Sequence, residues 1–145
     1  MLFEISSANL YLDMKILMID DDQAVLTLFS TALKKHGYDI VTAPDGKSGI
    51  EKAKTEKPDM ILLDQVLPDI QGNEVLTTLK QDDATKSIPV AMLSNFGQTE
   101  LVQKAINSGA TDYILKYQIE PDELDTKIRD IVRIAQSQAG SEQPF

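Results

Sequence analysis

Apolar and polar positions follow two alternating patterns along this chain. Short apolar runs are typical of strands buried on both faces of a sheet, whereas apolar residues at one-turn spacing are typical of helices with one buried stripe. The runs predict five strands, at residues 15–19, 40–43, 60–63, 88–93 and 113–115. The stripes predict five helices, at about residues 24–36, 47–56, 73–80, 101–108 and 122–135.

This strand–helix alternation predicts an α/β fold with a parallel sheet and helices on both faces. Because crossovers are right-handed, we expect a flavodoxin-like, doubly wound five-stranded sheet in the order 2-1-3-4-5. The regular unit spans residues 14–135 and is predicted to be one domain. Residues 1–13 are predicted to be an N-terminal extension of uncertain structure. Residues 136–145 are rich in Gln, Ser and Gly, and we expect a loose polar tail there.

Composition narrows the classes of function. The 145 residues contain no cysteine and one histidine, His36, so thiolate and histidine-rich metal sites are excluded. The formal net charge of −9 argues against non-specific binding to nucleic acid, which needs a basic face, and we expect no nucleic acid to be bound by this chain. No apolar run approaches the length of a membrane span, so we expect no membrane partner and a cytoplasmic location.

Polar residues stand where the predicted strands end. An acidic triplet, Asp20-Asp21-Asp22, follows the first strand, Asp64 follows the third, Ser94 follows the fourth and Lys116 ends the fifth. In an open α/β sheet, ligands bind at the carboxyl ends of the strands. The predicted strand order makes these four strands neighbours, so their terminal side chains are expected to converge on one crevice.

The converging residue types suit phosphoryl chemistry. Clustered carboxylates repel one another unless a cation neutralises them, and a site with only oxygen ligands favours Mg²⁺. A carboxylate can also accept a phosphoryl group and form an aspartyl phosphate. Ser94 and Lys116 would then face the phosphoryl oxygens, one as a hydrogen-bond donor and the other as a cation.

Five segments together resemble the receiver domain of two-component response regulators. They are ILMIDDD at residues 16–22, PDMILLD at 58–64, LPDIQG at 67–72, MLS at 92–94 and GATDYILK at 109–116. By this resemblance the chain would be a stand-alone, CheY-like receiver or a fragment of a longer regulator. The resemblance implies a signalling domain that receives a phosphoryl group from a histidine kinase or a histidine phosphotransfer protein. Its switched surface would then be read by a downstream protein, which the sequence does not identify.

The resemblance also implies a role for each matching residue. Asp64 would be the phosphoacceptor. The Mg²⁺ ligands would be Asp20, Asp21, Asp64 and the backbone carbonyl of Val66, with Asp21 as a direct ligand. Ser94 and Lys116 would contact the phosphoryl group, and Ser94 and Tyr113 would form the switch. The domain would not be a conventional enzyme, since at most it would catalyse its own phosphotransfer and autodephosphorylation.

The chain departs from the family pattern beside the candidate site. Tyr117 follows Lys116 where a cis proline is common in the family. Because a non-proline cis bond costs about 3–4 kcal/mol, the cost favours a trans bond here and a loop of different shape. Asn95 stands where a very small residue is frequent and is expected to narrow access to the site.

Simpler structural roles compete for some of these residues. Asp22 is favoured as a helix N-cap rather than a metal ligand. The alternative role for Tyr113 is that of a half-buried aromatic residue of the core. His36 is expected to be structural. Two other classes of protein compete with the receiver domain as interpretations. A haloacid dehalogenase-like phosphatase usually has an acid two residues after its nucleophile, where this chain has Val66. A flavodoxin-like cofactor binder needs a phosphate-binding loop where this chain has acids.

Overall fold

Five parallel strands form the centre of the molecule. The computed structural model describes residues 14–141, with side chains to residue 137. The strands are β1 (Lys15–Ile19), β2 (Asp39–Ala43), β3 (Met60–Leu63), β4 (Val90–Ser94) and β5 (Asp112–Leu115). They pair in parallel in the order β2-β1-β3-β4-β5, which confirms the predicted topology.

Helices cover both faces of this sheet. They are α1 (Gln23–Lys35), α2 (Gly46–Glu56), α3 (Gly72–Gln81), α4 (Thr99–Asn107) and α5 (Glu123–Ser141). Successive strand side chains point to opposite faces, so Ile16 and Met18 pack with α1 and α5, whereas Leu17 and Ile19 pack with α2, α3 and α4. Both faces of the central strands are therefore buried, as their continuous apolar runs predict.

The largest difference from the predicted strands is at β4, which begins at Val90 rather than at residue 88. Pro89 has no backbone N–H to donate to a sheet ladder. Its carbonyl still accepts from the N–H of Ile61 at 3.0 Å, so the chain joins the sheet on one side before regular pairing begins.

Beyond β5, Lys116 lies outside the strand. It begins a single 3₁₀ turn, Lys116–Gln118. None of the peptide bonds in the described residues is cis, so the Lys116–Tyr117 bond is trans.

Helix α5 continues through Ser141, into the segment that was predicted to be a loose tail. No proline interrupts the chain between residues 122 and 143, and Gln136 is a good helix former. The predicted N-terminal extension, residues 1–13, and the last four residues of the predicted tail lie outside the described residues. Among the described helices, none combines the length and the apolar character needed to cross a membrane.

The end of α1 is fastened to the start of α5 by polar contacts. The Tyr38 hydroxyl donates to Asp125 Oδ1 at 2.6 Å. His36 lies with one ring nitrogen 3.4 Å from Asp122 and the other 3.4 Å from Asp125. His36 therefore contacts α5 at the end of a helix, in keeping with the structural role expected for it.

Helix α1 begins at the acidic triplet. The Asp22 carboxylate accepts from the backbone N–H groups of Ala24 at 2.9 Å and Val25 at 3.3 Å, which makes it the N-cap as expected. This contact turns Asp22 toward the helix, whereas Asp20 and Asp21 remain beside the end of β3.

Replacing Asp22 by alanine should lower the free energy of unfolding by about 1 kcal/mol, because two helix N–H groups lose their acceptor. Urea denaturation would measure the loss. Asp83→Ala, at an exposed side chain, is the matched control and should leave the stability nearly unchanged. A large loss of Mg²⁺ affinity in Asp22→Ala would contradict its assignment as a cap.

Candidate functional site

The sheet itself brings Asp20 and Asp64 together. Ile19 pairs with Leu63 in adjacent parallel strands, so the residues that follow them are neighbours at the same edge. The N–H of Asp64 donates to the Ile19 carbonyl at 2.9 Å, and the N–H of Asp20 donates to the Ala43 carbonyl at 3.0 Å. Both backbones are thus fixed by sheet hydrogen bonds, and these place two buried carboxyl side chains at neighbouring strand ends.

Lys116 reaches this edge from the turn after β5. Its side chain is only 7% exposed, and its ammonium lies 2.6 Å from Asp20 Oδ2 and 3.5 Å from Asp64 Oδ1. A buried charge is tolerated only when it is paired. The placement of Lys116 therefore depends on these two carboxylates.

Asp21 completes a cluster of three carboxylates with Asp20 and Asp64. One oxygen of each lies within 4.8 Å of the others. Asp20 and Asp64 are buried, and Asp21 is exposed, so the cluster opens to solvent on one side. One ammonium against three carboxylates leaves a local charge of −2. Hard oxygen donors with this charge fit a divalent cation such as Mg²⁺, which keeps some of its own waters.

The electrostatic cost of this cluster falls on Asp64. Burial raises the pKa of Asp64, and the charge of Asp20 raises it further, to about 6. The Lys116 ammonium and a hydrogen bond from the N–H of Gln65 oppose this rise. The carboxylate is therefore poised to ionise more completely when a cation approaches.

The loop between β3 and α3 is held tightly under Asp64. The N–H of Gln65 donates to Asp64 Oδ1 at 2.8 Å, and the N–H of Gly72 donates to the Gln65 carbonyl, also at 2.8 Å. A Cβ on Gly72 would collide with the Asp64 carbonyl oxygen and would lie 2.8 Å from the Gln65 Cα. Only glycine permits this approach. Val66 lies in the same loop with its side chain 49% exposed.

Ser94 and Tyr113 form a second polar group beside the carboxylates. Ser94 is fully buried at the end of β4, and its hydroxyl accepts from the N–H of Phe96 at 3.1 Å. The Tyr113 hydroxyl donates to the Phe96 carbonyl at 2.6 Å and lies 3.5 Å from Gln65 Oε1. Burial raises the pKa of Tyr113, the Ser94 hydroxyl opposes this rise, and the charge of Asp64 adds to it.

The structure thus brings together Asp20, Asp21, Asp64 and Lys116, with Ser94 and Tyr113 in the adjoining group. Asn95 is exposed beside them. Sequence reasoning missed the part played by Gln65, which is buried and contacts both groups. It also missed Asp69, which binds the start of α2. Gln65 has no distinctive sequence signal, and Asp69 lies in the matching LPDIQG segment without a role assigned to it, because each acts through contacts that only the folded loop creates.

Comparison with known families agrees with this geometry. The family model of the response regulator receiver domain matches residues 16–129, and the chain belongs to this family. It is a family of signalling domains, phosphorylated on aspartate, and receiver domains generally bind Mg²⁺ at an acidic pocket.

Curated relatives include longer regulators. The chain is 36% identical over 127 residues to the alkaline phosphatase synthesis transcriptional regulatory protein PhoP of Bacillus subtilis, covering 88% of this chain and 52% of the relative. It is 39% identical over 119 residues to the DNA-binding dual master transcriptional regulator RpaA of Synechocystis, covering 82% of this chain and 49% of the relative. The chain therefore spans about half the length of these relatives.

Solved structures share the fold. A CheY-like receiver domain protein from Methanospirillum hungatei is 27% identical with a TM-score of 0.79, covering 86% of this chain and 97% of that one. The BeF₃-activated receiver domain of Klebsiella pneumoniae RstA is 32% identical with a TM-score of 0.74, covering 82% of this chain and 98% of that one.

These relatives correct one prediction. The net charge of −9 led us to expect no nucleic acid among the partners. That expectation is wrong, since the relative from Synechocystis is named as a DNA-binding transcriptional regulator and the relative from Bacillus subtilis as a transcriptional regulatory protein. The charge describes only the residues of this chain, whereas the relatives are about twice as long. The acidity of one domain does not define what a longer regulator binds.

The raised pKa of Asp64 should make the stability of the metal-free protein depend on pH. The pKa is about 6 in the folded protein and 3.8 as a free side chain, so the folded state binds the proton more tightly. The contribution of Asp64 to the free energy of unfolding should therefore fall as pH rises from about 4 to about 6. Urea denaturation across this range would measure the slope.

Asp64→Asn should remove this fall and be more stable than the wild type in metal-free buffer at pH 7.5. Asp83→Asn, at an exposed position, should keep the wild-type profile. Equal slopes in the wild type and Asp64→Asn would contradict the argument.

Proposed function

We propose that this domain accepts a phosphoryl group on Asp64 from a histidine kinase or a histidine phosphotransfer protein. In this step an Asp64 oxygen bonds to phosphorus, the bond from phosphorus to the donor imidazole breaks, and the histidine leaves with its electron pair. The observation that carries the proposal is the buried Asp64 carboxylate lying 3.5 Å from the Lys116 ammonium, within a cluster of carboxylates.

Asp20, Asp21 and Asp64 would hold Mg²⁺, with the backbone carbonyl of Val66 as a further ligand. The ion would supply positive charge against the phosphoryl oxygens. The donor set supports this assignment because it contains only oxygen and carries net negative charge. Asp21 is the exposed member, so it gives the ion an entry from solvent.

Lys116 and Ser94 would bind the phosphoryl oxygens, the first as a cation and the second as a hydroxyl donor. Ser94 already lies in one polar group with Tyr113, so a movement of its hydroxyl would change the environment of the ring. Tyr113 in turn contacts the loop before α4 through the Phe96 carbonyl. We infer that this path carries the signal to the surface formed by α4, β5 and α5.

We place the receiver unit at residues 14–135, and the role of the domain is signalling. Its only catalysis would concern its own phosphotransfer and autodephosphorylation. Response regulators are typically cytoplasmic, and we propose the same location here. By analogy with its relatives, the output would be control of transcription. A phosphatase of the haloacid dehalogenase-like kind is disfavoured, because the position of its second acid holds Val66.

Asp64→Asn should abolish phosphorylation, because an amide nitrogen and a neutral carbonyl replace the nucleophilic carboxylate. The measurement is intact-protein mass spectrometry after treatment with acetyl phosphate and Mg²⁺, where the wild type should gain one phosphoryl group. Asp22→Asn is the matched control and should still be labelled. Equal labelling of the wild type and Asp64→Asn would overturn the assignment.

Ser94→Ala should keep Mg²⁺ binding but weaken the link between Asp64 and Tyr113, because it removes the hydroxyl that interacts with Tyr113 and that we propose binds the phosphoryl group. NMR spectra recorded with and without beryllofluoride would measure this link. In the wild type, resonances around Tyr113 and in α4 should shift on activation, whereas Ser94→Ala should confine the shifts to the loop after Asp64. Identical shift patterns in the two proteins would contradict the proposed path.

A further inference from the structure

The loop that follows Asp64 is attached to the start of α2 by one exposed side chain. Asp69 Oδ1 accepts from the N–H of Gly46 at 2.8 Å, and Asp69 Oδ2 accepts from the N–H of Lys47 at 2.9 Å. Hydrogen bonds to a carboxylate are stronger than those between neutral groups. A two-pronged contact therefore joins the β3–α3 loop to a helix more than 20 residues earlier in the chain.

Helix α2 does not need Asp69 as its N-cap. Asp45 is the N-cap, and its carboxylate accepts from the N–H of Ser48 at 2.8 Å. Asp69 instead satisfies two further N–H groups of the first turn, which would otherwise have no partner within the helix. Desolvation raises the pKa of Asp69, but the backbone N–H groups of Gly46 and Lys47, together with those of Ile70 and Asp69 itself, outweigh it and hold this pKa below its ordinary value. The contact is therefore with the charged carboxylate.

Close packing beside these hydrogen bonds supports the attachment. Gly46 lies against Ile70 and Val75, and a Cβ at position 46 would come within 2.5 Å of Ile70 Cγ1 and 2.8 Å of Val75 Cγ2. The missing side chain lets the loop approach the helix backbone closely enough for Asp69 to reach both N–H groups.

The same loop is fixed at its other end by Asp64. Gln65 is bound to the Asp64 carboxylate through its N–H and to Gly72 through its carbonyl. Between these contacts and Asp69 lies Val66, whose carbonyl the proposed function uses as a metal ligand. A short loop held at both ends keeps its carbonyls in a fixed orientation.

We propose that Asp69 is a positioning residue for the metal site: by binding the start of α2, it holds the backbone of residues 65–68 in the orientation that Mg²⁺ requires. This inference rests on the proposed function, because it assumes that the carboxylate cluster binds Mg²⁺. Asp69 acts through the loop and does not touch the ion. Removing an outer contact of this kind costs about 10-fold or more in metal affinity.

The test is an Mg²⁺ titration by isothermal calorimetry on the wild type, Asp69→Ala and Asp69→Asn. Asp69→Ala should bind Mg²⁺ about 10-fold more weakly than the wild type. Asp69→Asn retains one acceptor oxygen and should fall between the two. Hydrogen exchange on the metal-free proteins gives an independent reading, because the Gly72 amide should exchange faster in Asp69→Ala.

Asp45→Ala is the matched control, since it removes a carboxylate from the same helix start without touching the loop. It should lower the melting temperature but keep the wild-type affinity for Mg²⁺. Unchanged affinity in both Asp69 variants would overturn the inference, as would equal losses in Asp45→Ala and Asp69→Ala. A wild-type protein that binds no Mg²⁺ would instead overturn the proposed function, and the inference with it.

Discussion

Repulsion among carboxylates that the backbone cannot separate is the constraint on which the site depends. Sheet hydrogen bonds hold Asp20 and Asp64 at neighbouring strand ends, and both side chains are buried. Their charges must be offset by an ammonium, a metal ion or a bound proton. Lys116 provides part of that compensation, but burial and the charge of Asp20 still leave the pKa of Asp64 raised. This imbalance favours the cation binding that we propose.

The sheet could be predicted from the sequence because its strands are buried on both faces. The uninterrupted apolar runs at residues 16–19 and 60–63 have no polar residue that would suit a solvent-facing sheet, so a parallel arrangement was the consistent solution. The ends of the strands and helices were harder to predict. Pro89 delays the regular pairing of β4, and α5 extends past residue 135, because neither a strand start nor a helix end depends on the apolar pattern alone.

The candidate site also has a part that the sequence predicts and a part that it does not. The strand order predicts that Asp20, Asp64 and Lys116 lie close together, since the strands before them end at the same edge of the sheet. Gln65 and Asp69 are not, because their roles come from a loop that folds back on Asp64 and on α2. Periodicity carries no information about such contacts. The partners were predicted least well, since one domain's charge says nothing about the remainder of a longer regulator.

Lys116 lies closer to Asp20 than to Asp64, and this difference distinguishes the two carboxylates chemically. The ammonium lies 2.6 Å from Asp20 but 3.5 Å from Asp64, so the charge of Asp64 is the less compensated of the two. An ammonium at contact distance withdraws electron density from the carboxylate it engages, so Asp64, which Lys116 engages less closely, is the more nucleophilic of the two. Perturbed carboxylates of this kind concentrate at functional sites because a fold selected only for stability would neutralise them. The incompletely compensated charge of the buried Asp64 carboxylate is therefore the physical basis of its proposed reactivity.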